Sequence, residues 1–102
     1  MPDFVKVADV SDVKASTVKV YDVKKTRIAL CNVSGSFYAI KDVCTHDDGP
    51  LGDGELEGCE IECPRHGARF DVTTGKAMCL PAVLPVPTYP VEVRGNEIFV
   101  SV

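Results

Sequence analysis

The only two histidines of this 102-residue chain each follow a cysteine at short range, as Cys44-Thr45-His46 and Cys63-Pro64-Arg65-His66. Sixteen residues separate His46 from Cys63. Two thiolates and two imidazoles are enough donors to saturate a small metal centre. The spacing brings them to one place if the chain folds back as two facing loops. Glycine and proline bound both loops, with Gly49-Pro50 in the first and Pro64 and Gly67 in the second. Structural zinc accepts such donors in a tetrahedron, although its common patterns group two cysteines and then two histidines. A [2Fe-2S] centre with two cysteines on one iron and two histidines on the other uses the same donors, one Cys and one His from each loop. Ligand chemistry by itself leaves both open.

The rest of the chain must position these loops. At 102 residues it is expected to be one domain with one modest core. Fifteen acidic and eleven basic residues give a net charge of -4, which argues against nucleic acid as the main partner and suits a soluble protein. No apolar run approaches the roughly 20 residues of a membrane span. The start, Met1-Pro2-Asp3-Phe4, lacks the basic and apolar regions of a secretory signal, so a cytoplasmic location is expected. Five cysteines, an odd count, are poor grounds for a disulfide framework. A reducing compartment would leave thiolates available for metal.

The pattern is all-β. Short alternating strands are expected at 4–7 and 17–21, with a turn or a single helical turn at 9–12 between them and a polar turn at 22–26. Residues 27–33 and 36–40 form a hairpin joined at Ser34-Gly35. Residues 41–58 hold six acidic residues, four glycines and one proline with little periodicity, too polar for core and too long for an ordinary loop. Cys44 and His46 supply the reason for it. Short strands at 60–62 and 68–72 flank the second loop. Four prolines within 77–90 forbid a long helix and favour an extended connection. A final hairpin, 91–93 and 98–102, turns at Gly95-Asn96. A loop-rich insert is placed at about 42–74 of a single domain spanning 1–102.

Cys-Thr-His, sixteen residues, then Cys-Pro-Arg-His-Gly resembles the Rieske signature. The segments His66–Asp71, Thr74-Gly75-Lys76, Leu80-Pro81-Ala82 and Thr88–Val91 extend the resemblance to the small Rieske-type ferredoxins of bacterial aromatic-ring-hydroxylating dioxygenase systems. It covers about residues 25–102. The resemblance implies a Rieske-type fold of stacked antiparallel sheets, with a small loop-rich cluster-binding subdomain inserted in a β scaffold. It implies one [2Fe-2S] cluster per chain, with Cys44 and Cys63 on the inner iron and His46 and His66 on the outer one. The histidine edge then lies toward solvent, where electrons enter and leave.

The implied job is one-electron transfer from an NAD(P)H-dependent flavoprotein ferredoxin reductase to a terminal non-haem iron oxygenase, in aromatic hydrocarbon catabolism. The chain offers no substrate pocket, iron triad or nucleotide loop of its own, so it is read as a carrier and not an enzyme. Two alternatives stay open: a small Rieske subunit of a nitrite reductase-like enzyme or of another redox system, and a zinc-binding structural or interaction protein.

Departures from the respiratory members of the family refine the expectation. Gly49 and Arg65 stand where those proteins have a pair of disulfide-forming cysteines. Ala68 and Phe70 stand where they have a serine and a tyrosine whose hydroxyls reach cluster and cysteine sulfur. Hydroxyl donors favour the reduced, more negative state, so their loss lowers the potential. The surrounding carboxylates (Asp42, Asp47, Asp48, Asp53, Glu55, Glu57, Glu60, Glu62) act in the same direction. The potential is expected at the low end of the Rieske range, on the order of -150 mV. Arg65 and Arg69 could orient a partner or meet a carboxylate. Cys31, Cys59 and Cys79 are expected to be buried or partly buried thiols.

Overall fold

Residues 28–31, Ile-Ala-Leu-Cys, are an unbroken apolar run, and a strand with that composition needs cover on both faces. The computed structural model describes residues 3–45, 49–64, 67–80 and 84–102, and it supplies that cover. Among the described residues, the strands are β1 (Val5–Asp9), β2 (Val18–Val23), β3 (Thr26–Val33), β4 (Ser36–Lys41), β5 (Leu56–Glu57), β6 (Glu60–Glu62), β7 (Arg69–Asp71), β8 (Ala77–Cys79), β9 (Thr88–Tyr89), β10 (Val91–Arg94) and β11 (Glu97–Val100). A single 3-10 turn, Val10–Asp12, follows β1. The strands make three antiparallel sheets, in the orders β1-β11-β10, β2-β3-β4-β9 and β5-β6-β7-β8.

The β2-β3-β4-β9 sheet is the middle layer. Along β3 the side chains alternate between its two faces. Ala29 and Cys31, with Ile40 of β4, join one buried cluster with Leu51, Ile61, Phe70 and Val72. Ile28 and Leu30, with Ala39, join a second cluster with Val13, Ile98 and Val100. The expectation of a single core is corrected accordingly. Two small cores lie back to back on one sheet, which is why residues 28–31 are all fully buried. Tyr89 packs on the second cluster.

The central hairpin forms as its pattern predicts, with Val33 paired to Ser36 across Ser34-Gly35. The polar turn before β3 is tighter than expected: Val23 pairs with Thr26. Lys24 and Lys25 both take positive φ, +48° and +67°, a geometry that usually selects Gly or Asn. Among its described residues, the proline-rich stretch contributes two short strands that composition hides. β9 pairs with β4 through Ala39–Tyr89 and Ile40–Thr88, and β8 closes the third sheet against β7. No helix among the described residues is long and apolar enough to cross a membrane.

Candidate metal centre

Cys44 follows β4 of the middle sheet, and Cys63 follows β6 of the third. The structure brings both thiols into one apolar cluster with Leu51, Ile61, Ala68 and Phe70. They are 0% and 1% exposed, so water is excluded from both. Their loops close in the same way. The Cys44 amide donates to the Gly49 carbonyl at 2.6 Å, and the Cys63 amide donates to the Ala68 carbonyl at 2.7 Å. In both cases the acceptor lies five residues on. The second loop is tightened by the Gly67 amide, which donates to the Cys63 carbonyl at 3.1 Å. Gly67 has φ +75°, a conformation that strains any residue with a Cβ.

In sequence, His46 and His66 fall inside these two closed segments, but both lie outside the described residues, as do Asp47, Asp48 and Arg65. The donor chemistry fits a metal cluster. Two soft sulfur donors are buried in one apolar cluster, at the bases of two loops that each carry one imidazole in sequence. Such a set suits iron-sulfur ligation better than a carboxylate-seeking cation.

A third segment borders both loops. The Thr45 hydroxyl donates to the Leu84 carbonyl at 2.7 Å, and the Cys79 thiol lies 3.5 Å from the Gly67 carbonyl. Cys79 corrects an expectation: its side chain is exposed. It ends β8, which is an edge strand of the third sheet among the described residues. Cys59, in the β5–β6 turn, is half-buried and Cys31 fully buried, as expected. Burial pushes the Cys31 thiol up to about 12. With a thiol-disulfide reagent at pH 8, the cluster-loaded protein is therefore expected to show one fast thiol, Cys79. Cys31 reacts only on unfolding.

Ala68 and Phe70 are both fully buried in the cluster that holds the two cysteines, so neither position offers a hydroxyl to sulfur. Arg69 meets carboxylates. Its guanidinium lies 3.4 Å from both Glu57 and Glu60, which face each other across β5 and β6. It offsets a like-charge pair that would otherwise oppose the sheet. Sequence reasoning placed Asp42 among the acidic surroundings and missed that its side chain is fully buried.

Residues 3–90 match the model of the Rieske [2Fe-2S] domain, and the chain belongs to that family. Within it the chain groups with the ferredoxins of aromatic-ring dioxygenase systems. It is 47% identical over 96 residues to the 3-phenylpropionate/cinnamic acid dioxygenase ferredoxin subunit of Shigella boydii serotype 4 (strain Sb227), covering 93% of this chain and 87% of that protein. The ferredoxin of carbazole 1,9a-dioxygenase from Nocardioides aromaticivorans IC177 superposes with a TM-score of 0.92 at 39% identity, covering 95% of each chain. A chain in the complex of reduced oxygenase and oxidized ferredoxin in carbazole 1,9a-dioxygenase superposes with a TM-score of 0.90 at 36% identity, covering 96% of this chain and 92% of that one. The cofactor of the family is one [2Fe-2S] cluster, which decides the choice left open by ligand chemistry against zinc. The chain is an electron carrier, and its sheets are those expected of a Rieske ferredoxin.

Proposed function

We propose that this ferredoxin carries one electron at a time from an NAD(P)H-dependent flavoprotein reductase to a terminal non-haem iron oxygenase, in the cytoplasm. Cys44 and Cys63 hold the inner iron, and His46 and His66 hold the outer one. Residues 42–74 act as the cluster-binding subdomain. The supporting observation is the pair of alike-closed loops that bury both cysteine thiols in one apolar cluster between the middle and third sheets. The complex of oxygenase and ferredoxin formed by a 36%-identical chain supports the choice of partner.

The bound cluster supplies the redox chemistry, and the protein sets its position, its potential and its docking. The apolar residues around Cys44 and Cys63 keep water from the sulfurs. Ala68 and Phe70 withhold hydroxyl donors and so hold the potential low. Charge is unevenly spread along the chain. Residues 42–71 carry nine carboxylates against two arginines, whereas the remainder carries six carboxylates against nine basic side chains. The acidic end is the cluster end, which would turn the molecule cluster-first toward a basic partner face and speed encounter.

Stopped-flow spectroscopy tests the assignment. NADH or NADPH bleaches the visible absorption only when a flavoprotein reductase is present, and added oxygenase restores it at one electron per chain. Reduction without reoxidation by a ring-hydroxylating oxygenase, with rapid reoxidation by another acceptor, would contradict the proposed partner.

A further inference from the structure

Positions 49 and 65 carry no sulfur, so no disulfide can join the two loops there. A different device holds the first loop. Asp42 follows the end of β4, and its amide continues the β3–β4 ladder by donating to the Arg27 carbonyl at 3.0 Å. Its backbone is therefore fixed by the rigid middle sheet. Its side chain is 0% exposed and accepts three hydrogen bonds. Oδ1 accepts from the amides of Leu51 at 2.9 Å and Gly52 at 2.6 Å, and Oδ2 accepts from Arg27 Nε at 2.8 Å. Two of these donors lie on the far side of the loop, nine and ten residues beyond Asp42. The carboxylate thus ties the return limb of the loop to the strand that launches it. Cys44, two residues after Asp42, lies between the tied points.

The loop is shaped for this approach. A Cβ at Gly52 would collide with the Val20 side chain on β2 and come 3.2 Å from Asp42 Oδ1, so only glycine lets its amide reach the carboxylate. Leu51, whose amide makes the other bond, is fully buried in the same apolar cluster as Cys44. Arg27 is 61% exposed at its side chain, so one partner of a fully buried anion reaches solvent while the other two are backbone amides. A buried carboxylate with this set of donors is satisfied, and satisfied buried networks hold one geometry.

We propose that Asp42, clamped between Arg27 and the amides of Leu51 and Gly52, is the positioning residue of the first cluster loop and holds Cys44 in ligating position. It acts through the loop and touches no metal. This rests on the assignment of Cys44 as a ligand.

The test uses the cluster-loaded ferredoxin. Its readouts are the half-life of the visible absorption under excess iron chelator, the line width of the reduced-state EPR signal, and the melting midpoint. Asp42→Ala is expected to release its cluster at least ~10-fold faster and to broaden the EPR lines, as loss of a residue that orients a metal ligand does. Asp42→Asn keeps an acceptor for the two amides and lies between Ala and the unmodified protein. Ile98→Val, in the other buried cluster, lowers the melting midpoint without changing chelator half-life or line width.

An Asp42→Ala half-life within twofold of the unmodified protein overturns the proposal. So does an Asp42→Asn variant as labile as Asp42→Ala. If Asp42→Ala yields no folded protein, Arg27→Gln decides, because its side chain lies largely at the surface. Release about 2- to 5-fold faster with broadened lines supports the clamp, in the range of a partly exposed charge pair. An unchanged half-life and line width overturns it. Failure of the unmodified protein to take up a cluster would instead refute the ligand assignment.

Discussion

Replacing Cys44 or Cys63 with serine is expected to give a chain that folds its scaffold but retains no [2Fe-2S] cluster. In the proposed arrangement each of the two is one of the two cysteine ligands of the inner iron. A serine hydroxyl stays protonated near neutral pH and is a poor match for iron held by soft donors. It also introduces a polar group into a pocket that is 0–1% exposed, at a cost of roughly 1–3 kcal/mol if no partner is found. The scaffold core around Ile28, Leu30, Ile98 and Val100 lies on the other face of the middle sheet and is untouched. Iron and acid-labile sulfide should therefore fall from two atoms each per chain to near zero, with little change in the far-ultraviolet circular dichroism. Cys31→Ser and Cys79→Ser provide the contrast, since both should keep full iron content. If Cys44 were only a small buried hydrophobe, its serine variant would behave like that of Cys31.

The second large effect concerns the potential. Ala68→Ser and Phe70→Tyr together should raise the midpoint on the order of 100 mV. A hydrogen bond to a charged acceptor contributes about 1.5–3 kcal/mol, and part of that is gained only in the reduced state, where sulfur carries more negative charge. For a one-electron couple about 1.4 kcal/mol corresponds to 59 mV, so two donors reach this scale. Both positions are fully buried in the cluster that contains Cys44 and Cys63, so an added hydroxyl has the ligand region within its own packing group. Spectroelectrochemical titration checks the shift. The unmodified protein is expected on the order of -150 mV, at the low end for Rieske centres. A midpoint above about +100 mV would contradict the idea that missing donors and nearby carboxylates set a low potential.

The hairpin from β3 to β4 was legible because its alternation, its apolar run and its Ser34-Gly35 turn all agree. The spacing of the two Cys-His pairs was legible for a similar reason, since it depends on residue type at fixed steps and not on tertiary contacts. β8 and β9 were not. Strands of three and two residues leave no periodicity to read, and prolines on either side argue for irregular chain. The exposure of Cys79 was hidden likewise, because a cysteine's tendency to be buried says nothing about whether its strand is an edge. Asp42 was the most informative omission. Charge counting treats every carboxylate as solvated, whereas this one is buried by amides nine and ten residues away that only the folded loop presents.

The central claim is that two cysteines and two histidines, Cys44, His46, Cys63 and His66, share one [2Fe-2S] cluster. Pulsed EPR of the dithionite-reduced protein tests it most directly. The predicted result is a rhombic signal with an average g below the free-electron value and hyperfine coupling from two imidazole nitrogens. A reduced cluster without nitrogen coupling, or a colourless, EPR-silent protein holding one zinc per chain, would contradict it.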